Sequence, residues 1–322
     1  MPLARWTSLI KNARWTWDDT ISLGQLKHLR VILNEIVPSK SWTLYGTSLL
    51  FNNQTNASLG SDGYDNYQAP QEDGKQLFDR RMWVSGSLKF RDIPRVGESI
   101  RCTERVSSVR RVGASVFVSI SRETRRLEFT EVLRGGTVVD TKETVGDVVT
   151  DELRSLVYKW RKDGGEGAVN GKPDPSLTQD GSETNETSPE SSAKNSNSIQ
   201  PETSNTASTI QFSVSTSQVS RFSALSYNIH KIHYDRTYCL SEGLEDVVVS
   251  GPMLVNIMLH SFASQYPDTA VESFAYRMSE PCYVDRDLQL TIEPQNKKYE
   301  IAVWEGTKKL CNGTVRMAKR DS

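Results

Sequence analysis

The rest of the chain is organised around the stretch Phe222–Asp235, which reads FSALSYNIHKIHYD, and the run at residues 247–262, which reads VVVSGPMLVNIMLHSF. The chain has four histidines, and three of them, His230, His233 and His260, lie in these two segments. Grouped side chains that exchange protons near neutral pH are typical of an acid/base site. Closely spaced histidines in a loop are also common as plain polar surface, so both interpretations stay open on these residues alone.

A Gly-Pro pair, Gly251-Pro252, opens the apolar part of the second segment. Apolar residues then recur from Met253 to Phe262 at the spacing of a broad helical stripe, which predicts a helix packed on a sheet. Proline is tolerated at the first helical position because the N–H that it lacks would have no partner there. The N–H of Gly251 at such a helix start suits an oxyanion hole. Helices also begin with Gly-Pro without any function.

Composition excludes several classes of protein. The 322 residues carry a formal net charge of -1, which gives no reason to expect a nucleic-acid partner. The four cysteines are scattered and show no spacing typical of a zinc site. An apolar run of roughly 18 residues, as a membrane span requires, does not occur. We therefore expect a reduced, intracellular protein that does not span a membrane.

The first 17 residues are basic and contain no acidic side chain. This composition is typical of a short mitochondrial targeting segment, and residues 1–17 are predicted as one. The aromatic group Trp15–Trp17 is equally suited to the fold itself, so that alternative stays open.

The first half alternates helical and strand patterns. Thr20–Glu35 has apolar residues at helical spacing, with His28 on the polar side. Asn52–Gly74 is long and polar, which favours a lid, a binding loop or disorder. Strands are expected at Ser99–Val109, joined through a turn at residues 110–113 to a second at Ser115–Thr124, and then at Leu127–Leu133, with a turn at Gly135-Gly136 and a continuation beyond it.

Residues 161–209 have a different composition, rich in Ser, Thr, Asn, Glu, Gly and Pro and without any aromatic residue. Such a segment buries too little apolar surface to offset the entropy of ordering it, which predicts a disordered linker. The linker separates residues 18–160 from residues 210–322.

The second half repeats the pattern of the first. A strand is expected at Ile210–Val214, the helix after Gly251 follows, and a closing hairpin spans Glu300–Met317 with its turn at Glu305-Gly306. A helix followed by an antiparallel meander, occurring twice, indicates an internal duplication. The predicted fold class is therefore α+β, built twice.

These features resemble a known family. FSALSYNIHKIHYD and VVVSGP are similar to the MaoC-type hydratases and dehydratases, and more closely to the mitochondrial type 2 hydroxyacyl-thioester dehydratases of fungi and the mesaconyl-C4-CoA hydratases. DRRMWVSGSLKF and IPRVGESI resemble the N-terminal unit of that group. The resemblance covers most of the chain apart from the linker and the extreme N-terminus, and it implies a double hotdog fold with a disordered inter-domain linker.

The resemblance also implies a function. Proteins of this group are hydro-lyases that dehydrate (R)-3-hydroxyacyl thioesters to trans-2-enoyl thioesters, here in mitochondrial type II fatty acid synthesis. The substrate would be an acyl-CoA or an acyl carrier protein thioester, no metal or redox cofactor would be needed, and the chain would be a monomer or homodimer. The matrix is the expected location, with the cytoplasm as the alternative. Residues 18–160 would accommodate the acyl chain, and residues 210–322 would carry catalysis.

Site residues follow from the same resemblance. His233 matches the catalytic histidine, Asn228 stands where the broad family has an aspartate, and His230 stands where it has an asparagine. His230 is either a second acid/base group or an orienting neighbour. Gly251 would supply the oxyanion N–H, and Ser250 replaces a histidine of the broad family. Asn228 cannot exchange a proton at neutral pH, so it is expected to orient the 3-hydroxyl by hydrogen bonds.

Two other functions stay open. One keeps the fold and changes the substrate to a short branched dicarboxylic acyl-CoA of the mesaconyl type. The other is a non-catalytic hotdog protein that binds acyl thioesters.

Several further residues are weaker candidates for the site. A set of arginines could contact CoA phosphates or an acidic carrier protein, but solvated strand faces are the plainer interpretation; its members are Arg105, Arg110, Arg111, Arg122, Arg125 and Arg126. His260 is expected to be a core residue. Arg80 and Arg81 could border the acyl pocket or pair with local acids.

Overall fold

One antiparallel sheet of ten strands carries both halves of the chain in the part that the computed structural model describes, residues 2–56, 58–160 and 207–318. A separate two-stranded hairpin, β2–β3, completes the strands. In chain order the strands are β1 Trp15–Thr20, β2 Gln71–Glu72, β3 Lys75–Gln76, β4 Arg80–Phe90, β5 Ser99–Val112, β6 Ser115–Arg134, β7 Thr137–Lys159, β8 Ser208–Phe212, β9 Val271–Met278, β10 Leu288–Gln295, β11 Lys298–Glu305 and β12 Lys308–Met317.

Five α-helices and two short 3₁₀ turns accompany the sheet in the described residues. The helices are α1 Pro2–Ile10, α2 Leu23–Ile36, α3 Thr216–Leu225, α4 Arg236–Ser241 and α5 Gly251–Gln265. The 3₁₀ turns are Thr47–Leu50 and Lys231–His233. The helices predicted at Thr20–Glu35 and after Gly251 are both present, and His28 is exposed as expected.

The two halves meet at the centre of the sheet. The strand order is β1-β5-β6-β7-β4-β9-β12-β11-β10-β8, so that each half contributes five neighbouring strands. Strand β4 of the first half pairs with β9 of the second, from Ser85↔Arg277 to Lys89↔Ser273. The predicted α+β architecture, built twice, is confirmed.

Each half contributes one long helix to the core. Helix α2 buries an apolar face that includes Leu26, Leu29 and Ile32, and Ser22 caps its start. Helix α5 is buried along most of its length, from Pro252 to Phe262. A helix that is apolar nearly all round is typical of a protein core, and α5 is therefore the centre of the second half.

The inner faces of the two half-sheets differ in chemistry. In the second half, Leu290, Val303 and Cys311 are cross-strand neighbours and are fully buried. In the first half, Glu104, Arg122 and Glu152 are cross-strand neighbours and are equally buried. We call this set of three the charged row. Arg122 pairs with both carboxylates at 3.2 Å, which partly compensates the cost of burying the charges.

Strand β6 departs from the predicted pattern. It runs without a break through residues 125–126, so the separate strand expected at Leu127–Leu133 is wrong; those residues continue β6. Register shifts between Thr124 and Leu127 interrupt the alternation of side chains, which made one strand resemble two. Beyond Leu127 the β6–β7 hairpin extends past its neighbouring strands, and its side chains are mostly exposed. Its turn at Gly135-Gly136 is confirmed, with both φ angles positive.

Two predicted boundaries move by a few residues. Strand β5 continues to Val112, so the turn consists of residues 113–114 rather than 110–113. Strand β8 begins at Ser208, inside the predicted linker 161–209. The rest of that linker prediction, residues 161–206, lies outside the described residues.

The N-terminal residues contact the first half. Helix α1 buries Trp6 and Ile10, and β1 pairs with β5 from Trp15↔Glu104 to Thr20↔Ser99. Trp15–Trp17 therefore belong to the fold, as one of the two alternatives expected. A targeting role for residues 1–17 stays a prediction. No helix in the described part of the chain is both long and apolar enough to cross a bilayer.

The close packing at the central strands allows a test of stability. A methyl group added at Gly313 of β12 would lie 2.3 Å from Phe274 of β9. We expect Gly313→Ala to lower the free energy of unfolding by about 1–3 kcal/mol because overpacking strains the core. Gly146→Ala is the matched control, since the added methyl would meet Arg126 at an ordinary 3.5 Å. Urea unfolding of both variants checks the prediction, and equal stability of the two would contradict it.

Candidate active site

His233 is held against the residues that lead into helix α5. It ends the 3₁₀ turn Lys231–His233, between α3 and α4. The turn is joined to the approach to α5 by two hydrogen bonds, in which the Val248 N–H donates to the Ile232 carbonyl at 2.8 Å and His233 Nδ1 bonds the Val248 carbonyl at 2.7 Å. Val248 lies three residues before Gly251. The fold therefore brings the predicted catalytic histidine to the start of the predicted helix.

The hydrogen bond to Val248 fixes the state of the His233 ring. A carbonyl oxygen only accepts, so Nδ1 carries the proton and Nε2 keeps a lone pair. Nε2 has no hydrogen-bond partner among the described residues. Burial lowers the pKa of His233 to about 4, against an opposing effect of the Val248 bond. The ring is therefore neutral at pH 7, with a basic nitrogen available to a ligand.

The start of α5 is arranged to leave one N–H open. Ser250 caps the helix by accepting a hydrogen bond from the Met253 N–H at 3.4 Å, and Pro252 has no N–H to satisfy. The Gly251 N–H has no partner within the described residues. A helix N-terminus carries partial positive charge, so this N–H is suited to an oxygen on which negative charge develops.

Trp83 of β4 explains why residue 251 is glycine. A methyl group at Gly251 would lie 2.9 Å from the Trp83 ring, closer than packed side chains allow. The indole is held in place by a hydrogen bond from its Nε1 to the Tyr276 hydroxyl at 3.0 Å. An aromatic side chain of the first half therefore packs directly on the helix start of the second half.

Asn228 and His230 lie beside His233. The side-chain Oδ1 of Asn228 accepts a hydrogen bond from the His230 backbone N–H at 3.1 Å. The amide NH₂ of Asn228 has no acceptor among the described residues and is available to donate. The rings of His230 and His233 are perpendicular, with centroids 5.5 Å apart. All three side chains are buried. The structure thus brings the four predicted residues to one region. Gly251 lies at the start of α5, and the other three lie in residues 228–233, which we call the histidine segment.

Sequence reasoning missed Asp62, which lies in the loop Asn52–Gly74. Its Oδ2 lies 3.4 Å from His230 Nε2. Arg81 of β4 holds the same carboxylate through two hydrogen bonds of 2.7 and 2.8 Å, so Arg81 pairs with a local acid, as one expectation had it. The long polar loop and the arginine pair were the available signals, but nothing in the sequence singles out Asp62 among the acids of the loop.

The pKa values of this group follow from burial and pairing. Burial acts to raise the pKa of Asp62, but the hydrogen bonds and charge of Arg81 outweigh it and the pKa is lowered. Burial lowers the pKa of His230 to about 3, helped by His233 and opposed by Asp62. At neutral pH the group therefore consists of an ionised Asp62–Arg81 pair and two neutral imidazoles.

The remaining candidates have structural roles. His260 is buried in α5 and its Nε2 bonds the Val37 carbonyl at 3.0 Å, consistent with a core residue. Arg80 pairs with Glu242. Of the arginine set, Arg122 is fully buried in the charged row, and the others are exposed or half-buried on strands β5 and β6. Burial raises the pKa of Cys239 to about 11, which disfavours a reactive thiolate.

Known proteins are similar in sequence to this chain. The family model described as hydroxyacyl-thioester dehydratase type 2 matches residues 46–182 and 124–284. The mitochondrial hydroxyacyl-thioester dehydratase type 2 of Schizosaccharomyces pombe is 25% identical over 253 residues, which are 73% of this chain and 72% of that protein. The mesaconyl-C(4)-CoA hydratase of Chloroflexus aurantiacus is 34% identical over 82 residues, 25% of this chain and 29% of that protein.

Solved structures share the fold. A MaoC-like dehydratase from Phytophthora capsici aligns with a TM-score of 0.61 at 15% identity, covering 98% of this chain and 99% of that one. A Mycobacterium tuberculosis protein with a double hotdog fold aligns with a TM-score of 0.53 at 13% identity, covering 97% of each chain. At these identities the likeness shows the fold, and the expected double hotdog is confirmed.

Burial lowers the pKa of His260 in the core as well as those of His230 and His233 in the site. The two imidazoles of the site predict how stability depends on pH. Their pKa values lie below the value of about 6.5 of an unfolded chain, so protons bind preferentially to the unfolded state. The free energy of unfolding then has its full value above about pH 6.5 and falls as the pH is lowered toward 4. Between pH 7 and pH 5 we expect each histidine to cost about 1–2 kcal/mol of unfolding free energy. Urea unfolding at both pH values measures this loss.

Histidine substitutions test whether the site causes this loss of unfolding free energy. His230→Gln should reduce the difference between pH 7 and pH 5 by about a third to a half, because His233 and the core residue His260 contribute to the same loss, while the exposed control His28→Gln should leave it unchanged. An equal difference in wild type and His230→Gln would show that the buried imidazole does not resist protonation.

Proposed function

Because the chain belongs to the family of type 2 hydroxyacyl-thioester dehydratases, we propose that it is a hydro-lyase that removes water from (R)-3-hydroxyacyl thioesters to give trans-2-enoyl thioesters, and catalyses the reverse hydration. One observation carries this proposal. The open Nε2 of His233 and the open N–H of Gly251 belong to adjoining segments, tied together through Val248. A base next to an oxyanion donor is the arrangement that elimination beside a thioester requires.

The chemistry assigns a role to each group. His233 Nε2 takes the proton from C2, and the negative charge that develops on the thioester oxygen is stabilised by the Gly251 N–H. The C3–O bond then breaks, and His233 returns the proton to the departing hydroxide, so that water leaves and the ring is neutral again. The amide NH₂ of Asn228 orients the 3-hydroxyl during this exchange. No electrons are gained or lost, so the reaction as written needs no redox cofactor.

The two halves are proposed to bind different parts of the substrate, in a specific pathway. Residues 210–322 would hold the thioester, as an acyl-CoA or on an acyl carrier protein, and residues 18–160 would accommodate the acyl chain. The pathway would be type II fatty acid synthesis in the mitochondrial matrix. The support for it is the mitochondrial name of the fission-yeast relative, together with the basic residues 1–17.

The charged row favours a second candidate, in which the acyl group is short and dicarboxylic. Beside the row runs a narrow cavity, with room for about one water molecule, that is lined by Tyr64, Tyr67, Gln68 and Arg154 among others. Tyr64 also contacts the His230 ring, at 5.7 Å between centroids, so the cavity adjoins the site. A tunnel for an alkyl chain is expected to be apolar, since buried polar groups need partners.

Arg154 is the residue that such a substrate would meet. It is 5% exposed, and among the described residues it donates one hydrogen bond, from Nε to Glu152 at 2.7 Å; its Nη2 lies 2.6 Å from the same oxygen as an ion pair. A guanidinium has five N–H donors, so Arg154 retains donors for a carboxylate.

Hydration of crotonyl-CoA tests the reaction. We expect wild type to bleach the enoyl-thioester absorbance and His233→Ala to lower kcat by about 1,000-fold, because the proton carrier is lost. Asn228→Ala should lower kcat less. The exposed His28→Ala is the control, and circular dichroism verifies the fold of each variant. A wild type that turns over neither short nor long enoyl thioesters, yet binds them tightly, would instead indicate a non-catalytic binding protein.

A panel of acyl groups separates the two candidates. For the fatty acid pathway we expect kcat/KM with trans-2-decenoyl-CoA to equal or exceed that with crotonyl-CoA. The second candidate requires a four-carbon enoyl-CoA with a terminal carboxylate to be at least about tenfold better than crotonyl-CoA, and Arg154→Met to remove that preference. Arg91→Met is the matched control, because Arg91 forms an exposed ion pair with Asp151.

A further inference from the structure

Asp62 reaches the histidine segment because its loop is fastened there. The Lys231 N–H donates to the Asp62 carbonyl at 2.8 Å, and Lys231 Nζ donates to the Ser61 carbonyl at 2.8 Å. Gly63 has φ +80°, and a methyl group there would lie 2.6 Å from the Ile229 carbonyl. The backbones of the loop and of the histidine segment are therefore in direct contact, with a glycine where a side chain would separate them.

The Asp62 carboxylate is held in place by Arg81 and by the backbone of Tyr64. Arg81 donates to both of its oxygens, and the Tyr64 N–H donates to Oδ1 at 3.2 Å. Asp62 and Arg81 each have side chains that are 3% exposed. A buried carboxylate fixed in this way cannot rotate freely, and its Oδ2 remains 3.4 Å from His230 Nε2.

An ionised carboxylate accepts hydrogen bonds and cannot donate them. Its closeness to Nε2 favours the tautomer of His230 that carries its proton on Nε2, which leaves the lone pair on Nδ1. Nδ1 has no hydrogen-bond partner in the described part of the chain. His230 would then resemble His233 in having one ring nitrogen that carries a proton next to an acceptor and one whose lone pair has no partner among the described residues.

Three open hydrogen-bonding groups thus lie together. They are the acceptor nitrogens of His230 and His233, whose rings are 5.5 Å apart, and the donor amide of Asn228. A hydroxyl or water oxygen matches this set, because it can donate to one ring nitrogen while accepting from the amide. The group that leaves in a dehydration, or attacks in a hydration, is such an oxygen.

We infer that Asp62 is a positioning residue, which holds His230 in the Nε2–H tautomer so that its Nδ1 binds the 3-hydroxyl or water opposite His233. The assignment of a reacting oxygen rests on the proposed function; the assignment of the tautomer does not. This tautomer also bears on the role of His230, which was expected to be either a second acid/base group or an orienting neighbour. A ring whose Nδ1 binds the reacting oxygen contacts the substrate directly. The catalytic centre then draws on both halves of the chain.

Imidazole ¹⁵N spectra test the tautomer directly, since the chain has four histidines. His233 supplies the reference for Nδ1–H and His260 for Nε2–H, because each bonds a carbonyl through that nitrogen. We expect His230 to show Nε2–H in wild type and to change to Nδ1–H in Asp62→Asn, whose amide NH₂ can donate to Nε2. Asp73→Asn is the control, an exposed acid of the same loop. An unchanged His230 tautomer in Asp62→Asn overturns the inference.

Kinetics with crotonyl-CoA give the functional readout. Asp62→Asn should lower kcat about 100-fold or more while KM changes less than about threefold, and Asp62→Glu should recover part of kcat. Asp73→Asn should leave both unchanged. Active wild type with an equally active Asp62→Asn overturns the inference and leaves the proposed function standing. Inactive wild type overturns the proposed function, and the tautomer of His230 still decides the role of Asp62.

Loss of the Asp62 charge leaves Arg81 buried without its partner, which can unfold the protein. The double variant Asp62→Asn with Arg81→Met removes both charges and keeps the amide beside His230. It is expected to show the same change of tautomer and the same loss of kcat. A folded double variant with His230 still protonated on Nε2 counts against the inference as the single variant does.

Discussion

The pairing of β4 with β9 is the interaction on which the rest of the structure depends. It joins two five-stranded half-sheets into one, in a register that runs from Ser85↔Arg277 to Lys89↔Ser273. Strand β4 also carries Arg81 and Trp83 just before the paired residues. The strand that unites the sheets therefore places a guanidinium on the loop of Asp62 and an indole on the start of α5. A change of register by one residue would turn both side chains to the opposite face.

The sequence predicted the part of the site that is local. A histidine cluster, a Gly-Pro pair and a helical apolar stripe follow one another within one segment, and the family resemblance pointed to His233 and Gly251 there as candidates. Asp62 could not be assigned in this way, because its contact depends on residues far apart in the chain; the neighbouring bond from Lys231 to Ser61 spans 170 positions. The family resemblance identified the histidine motif, but the loop Asn52–Gly74, which contacts that motif, has no comparable sequence pattern. Strand lengths were mispredicted in β6 because bulges shift the alternation without any turn residue.

The two halves have diverged in complementary ways. The second half has an apolar interior and the helix start that leaves Gly251 open, while the first half has the charged row and a helix α2 capped at Ser22 without a Gly-Pro pair. Identical subunits in a symmetric pair must carry every substitution twice. Two fused copies are free of that constraint, so one can bury an arginine between two glutamates while the other has Leu290, Val303 and Cys311 as buried cross-strand neighbours. The fusion thus permits one specialised site rather than two equal ones.

The pairing of β4 with β9 has a consequence for how the chain can be divided into two polypeptides. Its hydrogen bonds do not depend on the peptide connection through residues 161–206, so a chain opened within those residues would give two polypeptides that still share complementary strand edges. Reassembly would become a bimolecular step, and activity would then follow the product of two concentrations instead of one. Each fragment alone would present a bare central strand, which invites self-association. The present chain avoids this hazard by keeping the partner edge at a high local concentration.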